Sequence, residues 1–164
     1  MTKYILGVTN IRCGNPASDG SMATTLKDMG APITESVTFE DEEGELVKHF
    51  KEGERYPFLT LYSAAGTTLK FAIEMTNENL EYWLGGEVID GQWHSPRGNY
   101  QQVQSIELMT EFGLPVQIPK ATCYGVRKFG QKSTDLSTIE VTAVVELPGN
   151  PAVAPMIIGE KVTP

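Results

Sequence analysis

Any acid–base or metal chemistry in this chain must be built around two histidines, His49 and His94. His49 lies in VKHFK, a stretch that alternates polar and apolar residues, and reads as an ordinary strand residue. His94 is followed by Ser95 in WHSP. That pair lacks the GxSxG elbow and the strand–Ser–helix context that expose a nucleophilic serine. An all-β hydrolase using His94 and Ser95 is therefore one rival reading. Asp135 with Glu140, or Glu107 with Glu111, could form a carboxylate pair for glycoside hydrolysis, but a chain with 21 acids supplies such pairs by chance. The run EDEEGE at 40–45 clusters oxygens that a hard cation favours. It lacks the alternating D-x-D-x-D spacing of a calcium loop and reads as a solvated acidic turn. Cys13 and Cys123 have no CxxC partner and no neighbouring His pair, which excludes a zinc module and a disulfide-dense scaffold. They read as two small, semi-buried thiols. No glycine-rich phosphate loop precedes a helix. The chain is read as non-enzymatic, with no cofactor and no metal. Trp93 and Tyr100 flank a polar loop. They could stack a sugar or simply anchor a sheet, and a carbohydrate-binding β-sandwich module using Trp93 and Tyr100 is the alternative function.

The elements that would position these residues are mostly strands. The 164 residues suit one domain, 1–164, large enough to bury its own core. Sixteen glycines and ten prolines punctuate short apolar runs at regular intervals, the signature of an all-β domain. Strands are predicted over 3–11, 34–40, 45–50, 58–62, 69–75, 100–111, 115–118, 119–127 and 138–147, and 87–93 reads as a strand or a hairpin turning at Asp90-Gly91. Residues 34–40 and 45–50 are expected to pair as a hairpin with an acidic tip. In 69–75, Leu69, Phe71, Ile73 and Met75 face one way and Lys70, Ala72 and Glu74 the other. One helix is predicted, 77–84, capped by Thr76 or Asn77 and stopped by Gly85 and Gly86. Leu80, Trp83 and Leu84 form its apolar packing face. Residues 12–32 read as a long loop, with a helical turn possible around Met22–Met29. The proline-rich stretch 148–164 reads as an edge segment or arm.

Charge narrows the partners. Thirteen basic residues against 21 acids leave −8, which argues against tight binding to nucleic acid or an anionic membrane. The N-terminus lacks the features of a signal peptide, and no apolar run reaches spanning length. A soluble protein made in the cytoplasm is expected. The charge is also unevenly spread. Glu35–Glu54 holds eight acids against two bases, whereas 120–132 holds Lys120, Arg127, Lys128 and Lys132 with no acid. Head-to-tail stacking follows as an expectation, with the acidic end of one copy meeting the basic end of the next. Its candidate contacts are Glu40, Asp41, Glu42, Glu43, Glu45 and Lys48 on one side and Lys120, Arg127, Lys128 and Lys132 on the other.

The order of strand, acidic hairpin, alternating strand, short helix, Gly-Gly and strand resembles bacteriophage tail tube (major tail) proteins. The similar stretches are SVTFEDEE at 36–43, LKFAIEMTNENLEYWLGGEV at 69–88, Trp93 with Pro96, SIELMTEFGLPVQIPKATCYG at 105–125 and TIEVTAVVELP at 138–148. The resemblance implies a single-domain, mainly β sandwich or barrel with one short packed helix, tail-tube-like. It implies a virion protein of the tail, made in the host cytoplasm, that forms homo-oligomeric rings, commonly hexamers. The rings stack into a hollow tube, other tail proteins bind at the tube ends, genomic DNA passes through without specific binding, and no membrane is involved. The family's helix maps onto Asn77–Leu84. Its ring-contacting hairpin maps onto Glu40–Lys51. Lumen candidates are Thr34, Ser36, Thr38 and Glu40, together with Lys70, Ala72 and Glu74. The 12–32 loop and the 148–164 arm are candidate inter-subunit contacts.

Overall fold

The computed structural model describes residues 7–111 and 114–159. Among the described residues the chain is mainly β with one helix. The predicted start of the first strand, Phe112 and Gly113 of the quoted motif, and the end of the C-terminal arm lie outside the described residues.

In chain order the strands are β1 (Val8–Gly14), β2 (Lys27–Asp28), β3 (Thr38–Asp41), β4 (Glu45–His49), β5 (Leu59–Ser63), β6 (Thr67–Glu74), β7 (Glu87–Ile89), β8 (Gln92–His94), β9 (Gln102–Thr110), β10 (Val116–Lys128), β11 (Thr138–Val145) and β12 (Ile157–Ile158), with helix α1 (Asn77–Leu84) between β6 and β7. The main sheet runs β2-β1-β9-β10-β11-β6-β3, antiparallel at each pairing, with β12 added to β10. The long strand β10 holds the sheet together. Its first residues lie between β9 and β12, and from Ala121 onward it pairs with β11. The ladder to β9 is irregular between Ile118 and Ala121, where Pro119 removes a backbone donor. The sequence suggests two strands there; the structure has one bent strand.

The bend lets the two ends of the sheet share one core. Ile11, Cys13, Ile106 and Leu108 come from one end and Leu69, Phe71, Ile139 and Val141 from the other, all in a single buried cluster. Alternation produces this arrangement: in β6, Leu69, Phe71 and Ile73 are buried while Lys70 and Glu74 are exposed. Helix α1 closes the core. Thr76 accepts a hydrogen bond from the Asn79 backbone N–H and caps it. Leu80 and Trp83 are buried and Leu84 is half-buried. The Trp83 ring stands edge-on to Phe71 at 5.7 Å and to Tyr82 at 4.9 Å. The β7–β8 hairpin turns at Asp90 (φ 49) and Gly91 (φ 78), the positive-φ pair a two-residue turn requires.

Three expectations are corrected. First, residues 34–37 are not strand. Thr34 and Glu35 turn, and the Ser36 hydroxyl donates to the Ile33 carbonyl at 2.6 Å and accepts from the Ala72 N–H at 3.1 Å. A short hydroxyl competing for backbone partners breaks the alternation. Second, β3 and β4 do not form a hairpin; β3 pairs with β6 and β4 with β5. Third, the 12–32 region forms no helical turn at 22–29. It places Lys27–Asp28 beside β1, and the Lys27 ammonium reaches the Glu78 carboxylate of α1 at 2.6 Å.

Candidate assembly interface

The β4–β5 hairpin stands apart from the main sheet, and every residue of both strands is exposed. Its register sets Leu46 opposite Tyr62, Lys48 opposite Thr60, Val47 opposite Leu61 and His49 opposite Leu59. Because successive side chains alternate, Leu46 and Tyr62 share one face and Val47, Leu61 and Leu59 the other. Both faces are therefore apolar and uncovered. A lone two-stranded hairpin is marginal in water, and exposed apolar patches of this kind mark contact surfaces. Its base is well formed: the Gly44 N–H donates to the Tyr62 hydroxyl at 3.0 Å, and a Cβ at Gly44 would lie 1.8 Å from the Ser63 carbonyl oxygen. Lys51 lies over the Phe58 ring at 5.7 Å, and His49 is 6.5 Å from the same ring.

Two open strand edges are the second feature. Among the described residues β3 has one neighbour, β6. The ladder between β9 and β10 ends at Gln102–Cys123, so from Tyr124 to Lys128 β10 is paired to β11 alone. The layer β10-β11-β6-β3 thus has a free edge on each side. Unpaired backbone edges are templates for further pairing.

That layer also carries a polar outer face. Its register aligns Lys128, Val126, Tyr124 and Thr122 of β10 with Thr138, Glu140, Thr142 and Val144 of β11, then with Glu74, Ala72, Lys70 and Thr68 of β6, and Thr38 and Glu40 of β3. Of the lumen candidates, Thr38, Lys70, Ala72 and Glu74 share this face, with Glu40 beside them. Thr34 and Ser36 do not lie on a strand.

The charge segregation read from sequence is partly undone by pairing. Lys120 meets Glu146 at 3.4 Å, and Lys128 meets Glu140 at 2.8 Å, because β11 lies antiparallel beside β10. The Thr122 hydroxyl bond at 2.6 Å, followed by Lys120, holds the Glu146 carboxyl below its ordinary range. Among the described residues Arg127 and Lys132 make no ion pair; Arg127 lies over the Trp93 ring at 5.3 Å. Glu42, Glu43 and Glu45 cluster where β3 hands over to the hairpin, and Asp41 accepts the Thr67 hydroxyl at 2.6 Å.

Trp93 and Tyr100 both line a cleft of about 690 Å³ with Pro96, Tyr124 and Arg127. The Trp93 indole N–H donates to the Gly85 carbonyl at 2.9 Å, so the ring is anchored as well as partly open. His94 and Ser95 are both exposed. Among the described residues no group of three or more His, Cys, Asp or Glu could hold a metal ion, and no helix is long and apolar enough to cross a membrane.

No protein-family model and no curated protein matches the chain. Among solved structures it is similar to a chain of the PVC sheath–tube complex of an extracellular contractile injection system in its extended state, determined by cryo-electron microscopy. The identity is 11%, the match covers 90% of this chain and 91% of that chain, and the TM-score is 0.47.

The open edges had no clear signal in the sequence, because they depend on which strands pair. A signal for the hairpin did exist: LVKHF and FLTLY place apolar residues at both parities, which a strand with one solvated face does not.

Proposed function

We propose that this chain is a structural subunit that assembles with copies of itself into stacked rings forming a hollow tube of the phage-tail kind. The observation that carries this reading is the layer β10-β11-β6-β3 with two open edges. Adjacent strands in the layer are antiparallel, so β10 and β3 run in opposite directions. Copies related by rotation about one axis then bring β3 of one against β10 of the next, again antiparallel. Such a contact is heterologous, and it closes into a ring when the rotation permits. Closure removes both edges.

The polar face would line the channel. Its threonines, with Glu40, Glu74 and Glu140 facing Lys70 and Lys128, form a wall with little to hold phosphates, since phosphate binding needs clustered unpaired cations. Ring size follows the resemblance, six copies. The hairpin, apolar on both faces, would dock on the adjacent ring, and the acidic turn at Glu42–Glu45 would set its register. Genomic DNA would be the cargo and proteins at the tube ends the further partners. The test is negative-stain electron microscopy across a concentration series. Rings or hollow tubes are expected; a monodisperse monomer up to the solubility limit would contradict the reading.

A further inference from the structure

We infer that the cleft beside β10 is a socket for β3 of the neighbouring copy, with that copy's Phe39 seated against Trp93 and Tyr100 and its Asp41 paired with Arg127. The inference rests on the ring reading above and adds the side chains that fix the joint.

The socket exists because β9 stops early. Beyond Cys123 the chain that precedes β9 swings away from β10 and leaves the cleft, walled by Trp93, Pro96 and Tyr100 on one side and by Tyr124 and Arg127 on the other. Alternation along β10 puts Gly125 and Arg127 on the helix side, opposite the polar face. A Cβ at Gly125 would touch Ile139, Leu84 and Trp83, so the missing side chain keeps the cleft floor low. Tyr100 is fixed on the far wall, its ring 2.6 Å from where a Gly85 Cβ would stand. Arg127 lies on the Trp93 ring, which orients its guanidinium, and it makes no ion pair among the described residues.

The ligand side is written in β3. Phe39 and Asp41 stand opposite Leu69 and Thr67, on the core side of the layer, while Thr38 and Glu40 face the polar side. Phe39 is 39% exposed although it sits in a core-facing register. Asp41 Oδ1 accepts the Thr67 hydroxyl, and its second oxygen is left to accept from a further donor. When β3 adds to the free edge of β10, core-side residues meet core-side residues across the joint. The two core-side positions of β3 then offer an aromatic ring and a carboxylate, and the cleft offers two aromatic walls and an oriented guanidinium. In the antiparallel joint Phe39 stands opposite Arg127, beside the Trp93 ring on which that guanidinium lies, and Asp41 stands opposite Gly125, from where its carboxylate reaches Arg127 on the diagonal.

The test compares Arg127→Glu, Asp41→Arg and the double variant with the wild type. Assembly is read as critical concentration by light scattering, with electron microscopy of the product. Each single variant should raise the critical concentration by about tenfold or more, with the double variant recovering most of that loss. An unchanged melting temperature of the monomer shows that folding is intact. As a second measurement, a chain carrying Phe39→Cys and Arg127→Cys, the directly opposed pair, should give a ladder of disulfide-linked oligomers on oxidation; the native cysteines are buried. A wild type that never assembles would sink the ring reading and the socket with it. Normal assembly by Arg127→Glu, or two impaired single variants with no recovery in the double and no ladder, would overturn the socket while leaving the ring reading standing.

Discussion

If the β4–β5 hairpin is buried on both faces in the assembly, each face can be disabled separately. Leu46→Ser with Tyr62→Ser removes one face, and Val47→Ser with Leu61→Ser removes the other. In the isolated chain these residues are 57%, 58%, 41% and 51% exposed respectively. Full burial of such a side chain is worth about 1.5–3 kcal/mol, so roughly half, ~1 kcal/mol each, is still to be gained on docking. Each double variant should therefore lose ~2 kcal/mol per subunit added, which raises the critical concentration about 30-fold. Monomer stability should move little, since the hairpin lies outside the main core and exposed substitutions usually fall within about 0.5 kcal/mol. Critical concentration by sedimentation and unfolding by urea separate the two effects. If one double variant assembles like the wild type, the hairpin lies on a single surface and the two-faced argument is wrong. If both variants lower monomer stability by as much as they impair assembly, the exposed faces are part of the fold rather than a contact.

Three further predictions concern the subunit itself. Trp83→Ala should cost about 3–5 kcal/mol in urea unfolding. Trp83→Phe should cost well under half of that, because a ring is kept near Phe71 and a buried indole N–H without an acceptor among the described residues is removed. Arg12→Ala leaves the buried Glu107 carboxylate without its 2.9 Å guanidinium partner, held only by Gln117 at 3.0 Å, and should cost about 1–3 kcal/mol; adding Glu107→Gln should recover much of the loss. Burial pushes the Cys13 thiol up, and burial, then the nearby Glu146, pushes the Cys123 thiol up to about 12. Both thiols should resist a disulfide reagent at pH 8 until the chain unfolds. The unfolded chain gains thiolate as pH passes the ordinary value of 9.0, so stability should be full below that and fall as pH climbs toward 12. Rapid labelling of both cysteines in the folded monomer would contradict their burial.

Much of the fold could be read from spacing. The alternation in LKFAIEM and TIEVTAVV yields β6 and β11 and most of the core, and the Thr76 cap with Leu80 and Trp83 yields the helix. Pairing was harder to read. The acidic turn after β3 looks like a hairpin tip, but β3 finds its partner at Lys70, and the true hairpin closes eight residues later between His49 and Phe58. Local turn chemistry at Glu42–Gly44 carries no information about which distant strand wins. The charge partners were hidden for the same reason. Lys120 and Lys128 look unpaired along the chain, and only the β10–β11 register reveals Glu146 and Glu140 beside them. Ser36 delays the start of β3 to Thr38 by taking backbone partners for its hydroxyl.

The most direct test of the proposed function is a cryo-electron microscopy reconstruction of the purified, assembled protein. The expected density is a hollow tube in which β3 and β10 of neighbouring copies are joined, Thr38, Lys70 and Glu74 line the channel, and the β4–β5 hairpin reaches the adjacent ring. An assembly with that polar face turned outward, or a filament without a channel, would contradict it.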